Sequence, residues 1–150
     1  MRVRRLSLIV AAALMTGCAG RVSMIPNPDP NLRKSSTQFA ADAAARHPFK
    51  ADAPKAGEAV ARAQVGYMLN RIDIENLSSE DWQDVDVWVN QQYVVHLPKM
   101  EHKTLKILPF QMIYDDKGNY FPTNNSKTMV NQIALYKDGK LYDVPVKLGD

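Results

Sequence analysis

The chain has 150 residues, with 19 Lys and Arg against 16 Asp and Glu, and a single cysteine, Cys18. Such a length, once trimmed at its N-terminus, holds one domain of roughly 100 residues with one modest core, and leaves no room for two. One cysteine excludes an intrachain disulfide and any multi-cysteine zinc or iron–sulfur site; Arg2, Arg4 and Arg5 account for the whole excess of positive charge, so the remainder is neutral and nucleic acid is not an expected partner.

Residues 1–17 have three parts: the basic stretch Met1–Arg5, the apolar run Leu6–Met15, and small residues up to Cys18. That is the layout of a secretory signal. The apolar run is well short of the roughly 20 residues that a membrane-spanning helix needs. Leu14-Met15-Thr16-Gly17-Cys18 resembles the bacterial lipobox, with Met15 where leucine is usual. The resemblance implies cleavage after Gly17, a diacylglyceryl thioether on Cys18 and acylation of the new amino group, with the bilayer as partner. Several acyl chains, at about 0.8 kcal/mol per buried CH₂, hold a protein firmly. Ala19 stands where an inner-membrane retention signal shows Asp, so the same resemblance implies a place in a bacterial cell envelope, on the outer membrane facing the periplasm. The competing reading is an ordinary signal peptide with a chance cysteine; a lone cysteine at this position favours lipidation.

Residues 18–35 read as a lipidated tether. Pro26, Pro28 and Pro30 alternate with Asn and Asp, and such a stretch favours extended geometry reaching roughly 50 Å. Residues 36–58 read as a short Ala-rich helix and a connector. Ser36 and Thr37 are N-cap candidates, Pro48 stops the helix after His47, and Phe39, Ala40, Ala43, Ala44 and His47 form its apolar stripe. A helix of about three turns needs a surface to dock on. Glu58–Val65 fits helix and strand periods equally.

Residues 59–150 carry the alternation and β-branched content of strands. Val65, Tyr67 and Leu69 share one phase and Ile72 and Ile74 the other, which predicts a break near Asn70. Val85, Val87 and Val89 face one way, with Asp84, Asp86 and Trp88 opposite. Asn90-Gln91 reads as the turn into Tyr93–Leu97, which sets Trp88 across from Tyr93. Pro98–His102 reads as a loop, and the next strand changes phase beside Pro109. Asp138-Gly139 is a two-residue hairpin turn that pairs Leu135 with Tyr142 and Ile133 with Val144. Continued, the register sets Asn131 opposite Val146 and Met129 opposite Leu148. About seven short strands without βαβ alternation predict a mainly β chain, an antiparallel β-sandwich of the immunoglobulin-like or fibronectin-like kind. The segments Ile72–Leu77, Val87-Trp88-Val89-Asn90 and Tyr93-Val94-Val95 resemble small sandwich modules of exported bacterial lipoproteins, which implies a fold and no activity.

The chemistry-bearing residues are sparse. There is no H-E-x-x-H, G-x-S-x-G or Gly-rich phosphate loop, and His47, His96 and His102 lack ligand-like spacing. Glu80, Asp81, Asp84 and Asp86 form one acidic group, and Asp115, Asp116 and Asn119 another. The second lacks the D-x-D-x-D pattern of a calcium loop, so solvated turns are expected. The sequence therefore assigns no catalytic residue, no metal and no cofactor. Trp88 and Tyr93 are candidate contacts for an envelope partner, weighed against burial in the core. The functional expectation is a membrane-anchored, non-catalytic binding or structural module; a small metal-dependent or hydrolytic periplasmic enzyme is the alternative.

Overall fold

The structure, a computed structural model, describes residues 34–123 and 128–149. The signal segment 1–17, Cys18 and the tether up to residue 33 lie outside them. Among the described residues the fold is mainly β: one α-helix, α1 (Ser36–Arg46), and nine strands, β1 (Lys55–Glu58), β2 (Ala61–Gly66), β3 (Arg71–Asn76), β4 (Trp82–Val89), β5 (Tyr93–Met100), β6 (Leu105–Pro109), β7 (Ile133–Lys137), β8 (Lys140–Val144) and β9 (Val146–Gly149). They form a five-stranded sheet in the order β1-β8-β7-β4-β5 and a four-stranded sheet in the order β6-β3-β2-β9. Nine strands replace the expected seven, and both sheets are mixed, because β1 runs parallel to β8 and β2 parallel to β9.

Between the sheets lies the main core. Val85, Val87, Val89, Ile133 and Leu135 from the five-stranded sheet meet Val65, Ile72 and Ile74 from the other, each fully buried. This is the β-sandwich that the alternation at Val85, Val87 and Val89 predicts. Tyr67, Phe110, Phe121 and Tyr93 close one end of it, each ring edge-on to the next. At another point Lys137 Nζ sits 4.9 Å from the ring centres of both Trp82 and Tyr142, a cation over two aromatic faces.

A second, smaller core lies on the outer face of the five-stranded sheet, where Trp88, Val94, Ala134 and Leu141 pack with Ala44 of α1, Phe49 and Ala53. Both faces of β4 are thus covered, which is why Val85–Val89 is buried without interruption. The cap of α1 is Ser35, one residue earlier than the sequence candidates: its hydroxyl accepts from Gln38 N–H and Gln38 Oε1 accepts from Ser35 N–H, a complete capping box. Ala40, Ala43 and Ala44 are buried as expected, but Phe39 is 62 % exposed. The aromatic that reaches the sheet is Phe49, edge-on to Trp88 at 5.1 Å.

At three places the structure departs from the local sequence pattern. The β4–β5 loop holds three residues, because Val89 pairs with Tyr93 and Trp88 with Val94. Asn90 and Gln91 both take left-handed φ, 54° and 57°, and Gln92 N–H donates to Val89 O at 3.1 Å. That one-residue difference moves Tyr93 to the opposite face from Trp88. The hairpin at Asp138-Gly139 has the expected register, Ile133 with Val144 and Leu135 with Tyr142, but it ends at Pro145. Beyond it Val146 pairs with Ala63 and Leu148 with Val65 in the other sheet, so neither Asn131 nor Met129 is their partner. Finally, Tyr67–Asn70 is the turn of the β2–β3 hairpin, with Asn70 at φ 50°, and β5 runs on to Met100 through Pro98 at the sheet edge, where a missing N–H costs nothing.

Candidate functional site

His47 ends α1 because Pro48 follows it, and its N–H turns back to Ala44 O. The chain then runs extended along β4, so His47 meets Asp86 and Phe49 meets Trp88, two residues further along the same face. On the other side, Asp86 is the direct cross-strand partner of His96 in β5. The result is a cluster whose members are 10 to 49 positions apart. His47 Nδ1 lies 2.8 Å and His96 Nδ1 2.7 Å from the same oxygen, Asp86 Oδ1. The two imidazole rings stack at 4.0 Å, 20° from parallel.

Asp86 is only 6 % exposed, and a buried carboxylate must be paired to be tolerated. Two ring N–H groups meeting one oxygen supply that pairing, and they also pin the end of α1 to the sheet. The side chains of His47 and His96 are about a quarter exposed, so the cluster sits at a rim with solvent on one side. Asp84, two residues before Asp86, has φ 49°, lies opposite Pro98 by register, and brings Oδ1 to 3.9 Å from His96 Nε2. Left-handed backbone inside a strand is strained for most residues and least so for Asp and Asn.

The third histidine is elsewhere. His102 donates through its backbone N–H and meets Asp81 Oδ1 through its ring Nδ1, at 2.9 and 2.7 Å, while Lys99 Nζ pairs with Asp81 Oδ2 at 2.8 Å. Lys99 first, and His102 second, hold the Asp81 carboxyl well below the usual carboxylate range, and Asp81 in turn raises the Lys99 ammonium. Asp115 is not a solvated turn residue. It is 5 % exposed, and its carboxylate accepts from Lys117 N–H, Asn119 N–H and Asn119 Nδ2, closing a tight Asx turn. Asp116 and Glu80 are exposed.

Trp88 and Tyr93 are 5 % and 8 % exposed and belong to different cores. Burial, together with the neighbouring charge of Asp115, raises the Tyr93 phenol. Trp88 Nε1 is buried and finds no acceptor among the described residues. The edge of Trp88, with Ala44, Ala45, Pro48, Phe49, Gln91 and Gln92, lines an open cleft of about 330 Å³, near the lower size limit of small-molecule sites. Cys18 lies outside the described residues. Among those described, no helix is long and apolar enough to cross a membrane.

From the sequence, Asp84 or Asp86 with a histidine belongs to the alternative, metal-dependent or hydrolytic reading, but nothing there brings His47, Asp86 and His96 together. The only signal for the cluster was Asp84-Val85-Asp86 on a strand followed by a histidine on the next, which a correct β4–β5 register turns into a cross-strand pair. Compared with known proteins, the chain matches no family model, no curated protein and no solved structure.

Proposed function

We propose that the protein is a lipid-anchored component of a bacterial cell envelope, held at the outer membrane through acylated Cys18, whose β-sandwich is a non-catalytic binding or structural module for another envelope protein. One observation carries this reading: a basic start, an apolar run and Leu14-Met15-Thr16-Gly17-Cys18 in the order that a lipoprotein signal requires. The non-catalytic half draws support from how the polar groups are spent. Asp86 holds His47 and His96 together and Asp115 closes its own turn, and buried polar groups committed in this way are structural by default. The cleft beside Trp88 and Phe49 supports a binding role, because its lining is largely apolar and also carries Gln91, Gln92 and Asp116.

Metabolic labelling with radioactive palmitate tests the anchor. The wild type is expected to take up label and Cys18→Ser none; equal labelling of the two, or none in the wild type, refutes the reading. Crosslinking in intact cells followed by mass spectrometry tests the module, with a reproducible envelope neighbour as the expected result. A small metal-dependent or hydrolytic periplasmic enzyme is the second reading, and the convergence of two histidines on Asp86 is what favours it. A metal-dependent turnover lost in His96→Gln would replace the first reading with the second.

A further inference from the structure

We propose that His47, Asp86 and His96 bind one divalent transition-metal ion of the Zn²⁺ class, and that the ion ties the C-terminal end of α1 to β4 and β5. One ring nitrogen of each histidine and a carboxylate oxygen of Asp86 lie within 4.8 Å of one another. Three donors so arranged are the protein contribution to an open four-coordinate site, with a solvent position left over. Two imidazoles and a carboxylate suit Zn²⁺, Co²⁺, Ni²⁺ or Cu²⁺; Ca²⁺ and Mg²⁺ call for more oxygens than the cluster offers.

The distances define what binding must change. Each Nδ1 is at hydrogen-bond distance from Oδ1, 2.7 and 2.8 Å, whereas donors each about 2.0–2.2 Å from a tetrahedral ion stand roughly 3.3 Å apart. Both rings therefore splay from their 20° stack by about half an ångström at the donor atoms, which two side chains a quarter exposed can do without disturbing the core. Each Nδ1 gives up its proton to become a ligand. For His96 that proton is carried on Nε2, and the nearest carboxylate to Nε2 is Asp84 Oδ1, at 3.9 Å. A small rotation of the exposed Asp84 side chain completes a carboxylate–histidine–metal arrangement, the usual support of a ligating imidazole. The left-handed backbone at Asp84, inside a strand, is what aims this carboxylate.

The other histidine offers a built-in contrast. His102 also meets a carboxylate at 2.7 Å, but it is a single imidazole, and Lys99 occupies the second oxygen of Asp81. An ammonium at 2.8 Å repels a divalent ion, so no metal is expected there. This inference does not depend on the acylation of Cys18.

The test uses the full chain without affinity-tag histidines, purified in detergent, stripped with a chelator and titrated with ZnCl₂. One Zn²⁺ per chain is expected, and at a hundredfold excess over Kd the melting temperature rises by about 10 °C. The chain has three histidines, so imidazole NMR resolves the site: His47 and His96 shift on addition of Zn²⁺ and His102 does not. His96→Gln and His47→Gln each weaken binding by at least tenfold, Asp84→Asn by about 10–100-fold, and His102→Gln leaves it unchanged. Asp84 is exposed, so Asp84→Asn keeps the comparison open should either histidine variant fail to fold. Absence of Zn²⁺ binding below millimolar concentration, equal shifts of all three imidazoles, or affinity unchanged in both His47→Gln and His96→Gln overturns the proposal.

Discussion

Replacing Gly118 by alanine would force the start of α1 away from the Asp115–Asn119 turn that it touches at Thr37. Gly118 sits at φ 79° in the Asp115–Asn119 turn, and a Cβ there would lie 2.2 Å from Thr37 O, 2.8 Å from Thr37 Cγ2 and 2.9 Å from Thr37 C. Two of those three atoms are helix backbone, which cannot swing aside as a side chain does. The carbonyl must retreat by about 1.2 Å to reach the 3.4 Å of ordinary contact, and a displacement of that size loosens the packing of Ala44 against Trp88, Val94, Ala134 and Leu141. Left-handed backbone with a side chain costs about 1–2 kcal/mol, and overpacking adds about 1–3 kcal/mol. At roughly 4 °C per kcal/mol for a domain of this size, the melting temperature falls by about 8–20 °C. Gly139→Ala separates the two contributions, since Gly139 has φ 72° but nothing within 4 Å of its Cβ position; it should lose about 4–8 °C from strain alone. Thermal melts of both variants, with hydrogen exchange at residues 36–46, make the comparison. Equal losses in the two, with α1 amides protected as in the wild type, would refute the contact between Thr37 and the Gly118 turn.

Trp88→Ala should cost about 3–5 kcal/mol in urea unfolding, as a large buried ring removed from a packed core, and Trp88→Phe clearly less, because it also removes a buried N–H that has no acceptor among the described residues; stability unchanged in the alanine variant would put the ring at the surface. Asn76 is fully buried and donates to Glu80 O and Met100 O while its Oδ1 accepts from Ser78 N–H and Oγ, so Asn76→Ala orphans buried partners and should cost about 2–4 kcal/mol, with a loss under about 0.5 kcal/mol counting against that network. Asp81 titrates below its ordinary value of 3.8 because of Lys99 and His102. A carboxylate depressed in the fold stabilises it above the unfolded value and loses that contribution as pH falls further. Asp81→Asn should therefore lower the melting temperature at neutral pH and flatten its decline below about pH 4, so that the two proteins converge in acid, and curves that stay parallel through the acid limb would dissociate the Lys99–Asp81–His102 group from folding.

Local chemistry made much of this molecule legible in its sequence. The alternation of Val85, Val87 and Val89, the Asp138-Gly139 turn with its register, and a helix stopped before Pro48 all follow from backbone preferences that act over a few residues, and the structure has each of them. What tertiary structure alone decided has a common physical cause: it depends on contacts whose closure is not encoded locally. Asn90 and Gln91 suit a turn of either two or three residues, and the longer one wins where Asn90 bonds Met129 O, Asn131 N–H and Gln132 N–H across the fold; that choice sends Trp88 and Tyr93 to different cores. Lys55–Glu58 carries no alternation and becomes a strand only because the edge of β8 is free to take it. Pro145 ends the pairing of β8, and Val146–Gly149 finds the edge of β2. The meeting of His47 with Asp86 and His96 is of the same kind, since a helix end, a central strand and an edge strand share one rim only after the sheet is assembled.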